Sequence, residues 1–189
     1  DILIKSANDL ISLDAPNYQF VAARLLLFDV RKEVYKGHPD NHPAIKSHLD
    51  KGIASGIYDS ALAEAYSEDE WASLDSYIDH NRDYLFTYAG MRQVVDKYLV
   101  QDRSTGAIFE TPQFMYMLIS ATLFQKYPEE KRLDYVQRYY DAISTHKINI
   151  PTPIMGGVRT PLRQFASCVL VDVDDTLDSI FASDMAIGY

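Results

Sequence analysis

The only cysteine of this 189-residue chain, Cys168, is the first residue whose type suggests chemistry. It lies in the stretch Arg163-Gln-Phe-Ala-Ser-Cys168-Val-Leu-Val-Asp172, so most of its neighbours are apolar. A lone cysteine on an apolar strand is by default a small buried hydrophobe. A reactive thiol needs a base, a metal ion or a second thiol nearby, and the adjacent residues supply none. The residues alone leave both interpretations open.

A group of carboxylates follows this apolar run, in the stretch Asp172-Val-Asp174-Asp175-Thr176. The pattern resembles the nucleophile motif of haloacid-dehalogenase-type phosphatases, in which the first Asp is phosphorylated and the second acts as acid and base. Carboxylates at the end of a strand can hold Mg²⁺ and attack a phosphorus atom. That motif normally opens its domain, however, and the segment from Leu177 to Tyr189 is too short for the rest of such a site.

His38 and His42 have the four-residue spacing of a zinc-binding pair on a helix. Pro39 and Pro43 disfavour a helix at this position, and no third ligand is evident. The sequence therefore predicts a solvated loop here.

Composition narrows the class of protein. The chain has 47% hydrophobic and 24% charged residues, and its formal net charge is −9. This is an ordinary balance for a globular protein, and the acidic excess disfavours nonspecific binding to nucleic acid or to an anionic membrane. A nucleotide site needs only a few local donors. Arg159 and Arg163 could meet a phosphate, although structural pairing explains them equally well.

The sequence also predicts the compartment of the protein and whether the chain is a fragment. No apolar run approaches the roughly 20 residues needed to cross a bilayer, and no signal peptide is evident. One cysteine cannot form an intrachain disulfide, which fits a reducing compartment, so the cytoplasm is predicted. Asp1 and Tyr189 both lie within apparent helices, so we expect the chain to be a fragment or one half of a split protein.

Most of the chain has helical periodicity. The predicted helices are Asp1–Leu13, Tyr18–Tyr35 with Val21, Leu25 and Phe28 on one face, a helix capped by Ser67 and Glu70, Phe86–Tyr98, one beginning at Thr111-Pro112, and one from Pro128 to Ile143. The acidic residues of Ser67–Asp75 are predicted to form a solvated helix face. A short hairpin is predicted where Tyr98–Gln101 and Ala107–Glu110 flank Asp102–Gly106.

The pattern changes at Asn149. Pro151 and Pro153 disfavour a helix, Phe165–Val173 has the composition of a buried strand, and a helix is predicted to begin near Leu177. A strand, a polar turn and a helix form the first unit of an α/β domain. We therefore predict a helical domain over residues 1–149 and the start of an α/β domain over residues 150–189.

The stretch Ile150-Pro-Thr-Pro-Ile-Met-Gly-Gly-Val-Arg-Thr-Pro-Leu-Arg-Gln-Phe-Ala-Ser-Cys168-Val-Leu resembles the active-site entry of the class I, aerobic ribonucleotide reductase large (alpha, catalytic) subunits. Further resemblances to that family occur upstream in the same order, at Asp14–Arg24, Ile78–Asp83, Lys97–Gln101 and Tyr139–Thr145. The resemblance therefore covers nearly the whole chain. Gly156 and Ala166 depart from the family pattern where Ser is common, and Leu162 departs where Thr is common.

The resemblance implies a mainly α fold, in which a helical domain precedes the first strand and helix of a ten-stranded α/β barrel. It implies that Cys168 lies on the first barrel strand, as one of two thiols that reduce the ribose 2′ position and end as a disulfide. Ser167 would lie against the substrate ribose and Thr152 near its phosphates. Asp175 would hold the ribose of the specificity effector, a dNTP or ATP.

The same resemblance implies several partners. These are the remainder of the large subunit, a second copy that dimerises through the helix starting near Leu177, a small subunit that supplies the radical, and a thioredoxin- or glutaredoxin-type reductant. The ATP cone would precede Asp1, and the second redox thiol would follow Tyr189. The isolated chain is therefore expected to be inactive. The phosphatase based on Asp172 and Asp174 and a non-catalytic helical interaction module are the alternatives.

Overall fold

The computed structural model describes residues 2–102, 104–162 and 164–188, and it is mainly helical. The elements, in chain order, are α1 (Ile2–Asp9), α2 (Tyr18–Tyr35), α3 (Ile45–Ala54), α4 (Ser60–Ala65), α5 (Glu68–Ser76), a 3-10 helix (His80–Leu85), α6 (Tyr88–Gln93), a π-helical turn (Val94–Tyr98), α7 (Pro112–Phe124), α8 (Glu129–Ser144), α9 (Thr152–Gly157) and α10 (Leu177–Gly188). The prediction of a mainly α fold is confirmed.

Helix α7 forms the centre of the helical array. Its residues from Pro112 to Ala121 are all buried, which is the pattern of a helix that is covered on every side. It packs most extensively against α8, which contributes the buried residues Val136, Tyr140 and Ile143. The two helices predicted to begin at Thr111-Pro112 and at Pro128 are therefore both confirmed.

Side-chain capping explains one of two helix starts that the sequence predicts. The Ser67 hydroxyl accepts from the Glu70 amide, while the Glu70 carboxylate accepts from the Ser67 amide, so the predicted capping box is confirmed. At α7, Thr111 is the N-cap residue and Pro112 follows it, as predicted. The Thr111 side chain does not cap the helix, however, because its hydroxyl accepts from the Tyr35 hydroxyl at 3.3 Å instead.

The helix predicted over Tyr18–Tyr35 is confirmed, but its face with Val21 and Phe28 is not turned toward the core. Val21 and Phe28 are 43% and 53% exposed, whereas Leu26, Leu27 and Val30 are buried. The helix carries apolar residues almost all round, so its sequence alone does not define which side faces the core.

The predicted hairpin is reduced to one isolated antiparallel bridge between Gln101 and Ile108. The described residues contain no strand beyond that bridge. Within them, no helix is long and apolar enough to cross a membrane.

Candidate active-site segment

The segment that carries the candidate site begins at α9. The prediction that Pro151 and Pro153 disfavour a helix is wrong, because Thr152–Gly157 is helical with Pro151 at the N-cap. Proline is tolerated in the first helical turn, where its missing N–H has no acceptor to lose. Thr152 is exposed, and its hydroxyl oxygen lies 3.3 Å from the Tyr98 hydroxyl. Hydrogen bonding to Thr152 lowers the pKa of Tyr98, against the opposing effect of its partial burial.

Two residues past α9, Arg159 is fully buried and binds the fully buried Glu110. Its Nε donates to Glu110 Oε2 at 2.9 Å, and its NH2 group also donates to the same carboxylate. The remaining guanidinium protons reach two main-chain carbonyls, Met155 O at 2.5 Å and Tyr98 O at 3.0 Å. Burial alone would lower the pKa of Arg159, but the Glu110 carboxylate raises it above its ordinary value. Arg159 therefore acts as a structural clamp and is not free to meet a phosphate.

The Glu110 carboxylate also connects α3 to this clamp. Its Oε2 accepts from the Tyr58 hydroxyl at 3.0 Å, which lies 3.1 Å from His48 Nε2. A Cβ atom at Gly52 would lie 2.2 Å from the Tyr58 ring, so only glycine allows Tyr58 to lie at this position. Burial raises the pKa of Tyr58 well above its ordinary value, so the hydroxyl remains a proton donor.

Cys168 lies in an exposed segment. Residues 164–174 carry no assigned secondary structure, and the side chains of Val169 and Leu170 are 83% and 98% exposed. The prediction of a buried strand over Phe165–Val173 is not confirmed, because a strand needs neighbouring strands for its hydrogen bonds and the described residues offer none. The Cys168 thiol is free and exposed, and its sulfur lies 3.8 Å from the Ser167 hydroxyl oxygen.

The acidic turn leads into α10, which begins at Leu177 as predicted. The Thr176 hydroxyl accepts from the Ser179 amide at 3.2 Å, which is an N-cap interaction. Asp175 is exposed at the start of this helix. In the described part of the chain, no group of three or more His, Cys, Asp or Glu residues could hold a metal ion, which gives no support to a metal site at Asp172 and Asp174.

His38 and His42, the two histidines with the spacing of a zinc-binding pair, have different neighbours. His38 is exposed beside Asp40, as expected of a solvated loop. His42 is only half-exposed, and its ring stacks on that of His80 with centroids 3.7 Å apart and an interplanar angle of 5°. The predicted loop is confirmed, because no helix covers His38 to Pro43, but His42 is not fully solvated within it. The other candidate phosphate ligand, Arg163, lies outside the described residues.

Sequence reasoning missed the buried polar networks. Besides Glu110 and Arg159, the Arg31 guanidinium donates to Asp83 at 2.9 Å, and Gln113 donates to the same carboxylate at 2.8 Å. Nothing in the local pattern marks these residues as buried, because each pair joins segments that are far apart along the chain.

Acidification from about pH 7 to about pH 4.5 is expected to lower the free energy of unfolding by roughly 2 kcal/mol. Burial lowers the pKa of His48 to about 4 and that of His80 to about 3, from an ordinary 6.5. Below pH 6.5 the unfolded chain therefore binds protons at these two histidines that the folded chain does not bind. Their contribution to the free energy of unfolding is fully present above pH 6.5 and is lost as the pH falls from 6.5 toward the folded-state pKa values. Burial raises the pKa of Asp83 to about 6, which acts in the opposite direction and offsets part of the loss.

Urea unfolding at several pH values measures this dependence. His48→Gln should make the dependence on pH shallower, whereas His38→Gln, at an exposed position, should leave it unchanged. A wild-type stability that is flat or rises on acidification would contradict the assignment.

The sequence of this chain is similar to those of known proteins. Residues 84–163 match the family model described as the ribonucleotide reductase all-alpha domain. The ribonucleoside-diphosphate reductase subunit alpha of Haemophilus influenzae is 55% identical over 187 residues, which is 99% of this chain and 24% of that protein. Subunit alpha of ribonucleoside-diphosphate reductase 1 from Escherichia coli K12 is 53% identical, with the same coverage.

The subunit alpha of phage T4 is 46% identical over 98% of this chain and 24% of its own length. The chain thus spans about a quarter of the length of these relatives. Because the matches extend over nearly every residue, including the α9 segment and Cys168, the chain corresponds in sequence to one segment of the ribonucleotide reductase alpha subunits.

Proposed function

We propose that this chain is part of a ribonucleoside-diphosphate reductase large subunit, an enzyme that reduces ribonucleotides to deoxyribonucleotides by radical chemistry. The observation that carries the proposal is the 55% identity to a subunit of that name across 99% of the chain. No feature of the structure favours the phosphatase or the interaction module over this function.

Cys168 would supply one thiol of a redox pair. In the overall step the ribose 2′ C–O bond breaks and a 2′ C–H bond forms. The two thiols give up two electrons and two protons, so the products are a deoxyribonucleotide, a disulfide and water. Each turnover must end with reduction of that disulfide by a thioredoxin- or glutaredoxin-type dithiol. Support comes from the exposure of the Cys168 thiol, which such a cycle requires.

The second thiol and the radical would come from outside this chain, the radical from a separate small subunit. The run of residues 164–174 would be the first strand of a ten-stranded barrel, paired with strands outside the described residues. Its apolar side chains Val169 and Leu170, which are almost fully exposed here, would then be buried. Residues 1–149 and 150–189 would be the helical domain and the start of the barrel.

The remaining assignments follow the same reasoning. Ser167 and Thr152 would bind the substrate ribose and phosphates, and both are exposed and able to donate a hydrogen bond. Asp175 would accept a hydrogen bond from the ribose of a dNTP or ATP effector. Helix α10 would join two copies through its exposed apolar residues, which include Phe181, Met185 and Ile187. The compartment would be the cytoplasm.

The function is tested with a subunit of the relatives' full length that carries this segment. Mixed with a small subunit and a dithiol, it should convert ribonucleoside diphosphates to deoxyribonucleoside diphosphates, and the 189-residue chain alone should not. The absence of a deoxyribonucleotide product from the long protein would overturn the proposal. Release of phosphate from a generic ester that is lost in Asp172→Asn would favour the phosphatase instead.

A further inference from the structure

Tyr98 connects the helical array to the exposed threonine of the candidate site. Its hydroxyl lies 3.3 Å from the Thr152 hydroxyl, although the two residues are 54 positions apart in the chain. Tyr98 is the last residue of the π-helical turn, which the Leu99 amide closes by donating to Val94 O at 2.9 Å. Such turns are rare in helices and frequently occur at functional sites.

Buried Arg159 fixes the position of the Tyr98 hydroxyl relative to the Thr152 hydroxyl. One guanidinium, that of Arg159, donates to the Tyr98 carbonyl at 3.0 Å and to the Met155 carbonyl in α9 at 2.5 Å. Because Arg159 is fully buried and bound to Glu110, it cannot move without breaking an ion pair. The π-helical turn and α9 are therefore held at a constant separation, and so are Tyr98 and Thr152.

This arrangement affects what the threonine can bind. A threonine hydroxyl has one proton and two acceptor lone pairs, and a phosphate oxygen needs the proton. Either hydroxyl can be the donor in this contact, and the deprotonated form of Tyr98 could only accept from Thr152. When the Tyr98 hydroxyl donates into a lone pair of Thr152, the threonine proton must point elsewhere, toward the open side from which Thr152 is exposed. A hydroxyl that accepts one hydrogen bond is also a stronger donor in the next.

We propose that Tyr98 is a positioning residue for substrate, whose hydroxyl donates to Thr152 and so presents the threonine proton to a substrate phosphate oxygen. This inference rests on the proposed function, since it takes the Thr152 hydroxyl as a phosphate contact. Tyr98 itself need not touch the substrate. Its removal should weaken binding of the ribonucleoside diphosphate and leave the chemical step unchanged.

The test uses Tyr98→Phe in a subunit of the relatives' full length, with its small subunit. The substrate Kd and KM should rise roughly three- to tenfold, in keeping with the loss of one hydrogen bond, while kcat stays within about twofold. Thr152→Val should raise Kd at least as much. The double variant should bind no more weakly than Thr152→Val alone, because Tyr98 acts only through that hydroxyl.

The matched control is Tyr135→Phe, at a half-buried tyrosine of α8 whose ring packs on Phe124 and Tyr127. It should leave Kd unchanged. If Thr152→Val raises Kd but Tyr98→Phe does not, or if the two effects are additive, the positioning role is overturned while the proposed function stands. If Thr152→Val also leaves Kd unchanged in an active reductase, the phosphate contact itself is wrong and the inference fails with it. If no variant or wild-type protein makes a deoxyribonucleotide, the proposed function fails.

Discussion

Replacing Cys168 by serine is expected to lower dithiol-dependent ribonucleotide reduction on the order of a thousandfold or more. Serine keeps the size and the hydrogen-bonding capacity of the side chain but cannot form a disulfide, so the two electrons for the 2′ position have no source. The substitution should not unfold the protein, since Cys168 is exposed and its only described hydrogen-bond contact is the long one with Ser167.

Single-turnover measurements on the pre-reduced, full-length subunit separate this explanation from a structural one. Wild-type protein should form about one product per redox pair without added dithiol, and Cys168→Ser should form none while retaining the wild-type substrate Kd. Ser167→Ala, one residue away, should instead raise the substrate Kd and keep the single-turnover product. If Cys168→Ser reduces ribonucleotides at the wild-type rate, Cys168 has only a packing role, as the interaction-module hypothesis holds.

Local signals explain which elements could be predicted from the sequence. The start of α5 was predictable because Ser67 and Glu70 satisfy each other's amides within one turn. The core face of α8 was predictable because burial there follows helical spacing. These predictions depend on residues within about four positions of one another, which is the range over which helix geometry relates side chains.

Two of the failures involve partners distant in the chain. Phe165–Val173 has the composition of a buried strand, but whether it becomes one depends on neighbouring strands, which the described residues do not supply. Val21 and Phe28 share a helical face with Leu25, and which face of α2 is buried depends on neighbours that no local rule specifies. For the same reason the family resemblance, not periodicity, gave Cys168 a chemical role.

In the candidate site, too, residues in local motifs could be predicted, whereas contacts between distant parts of the chain could not. Cys168, Ser167, Thr152 and Asp175 were identified because they lie in contiguous motifs. Arg159 was interpreted ambiguously, and Glu110 was not singled out, because their contact joins positions 49 residues apart. The residues that hold the site in place are thus less visible in sequence than those expected to act in it.

The buried ion pair between Arg159 and Glu110 is expected to contribute strongly to the stability of the protein. Arg159→Met is expected to lower the free energy of unfolding by about 3–5 kcal/mol, because it leaves the Glu110 carboxylate buried without its counter-charge. It also removes the donors to the Met155 and Tyr98 carbonyls, so α9 should separate from the π-helical turn. Urea unfolding measures the first effect, and proteolysis near α9 at low urea concentration measures the second.

A double variant and a control at a surface ion pair test whether the loss of stability in Arg159→Met arises from the burial of the ion pair. Arg159→Met combined with Glu110→Leu should recover part of the loss, since two matched apolar side chains cost less than one unpaired buried charge. Arg138, whose side chain is 70% exposed and lies 3.4 Å from Asp134, provides the control. Arg138→Met should change stability by less than about 1 kcal/mol. If Arg159→Met costs no more than this control, the buried ion pair does not hold the active-site segment, and α9 must be held by its apolar contacts alone.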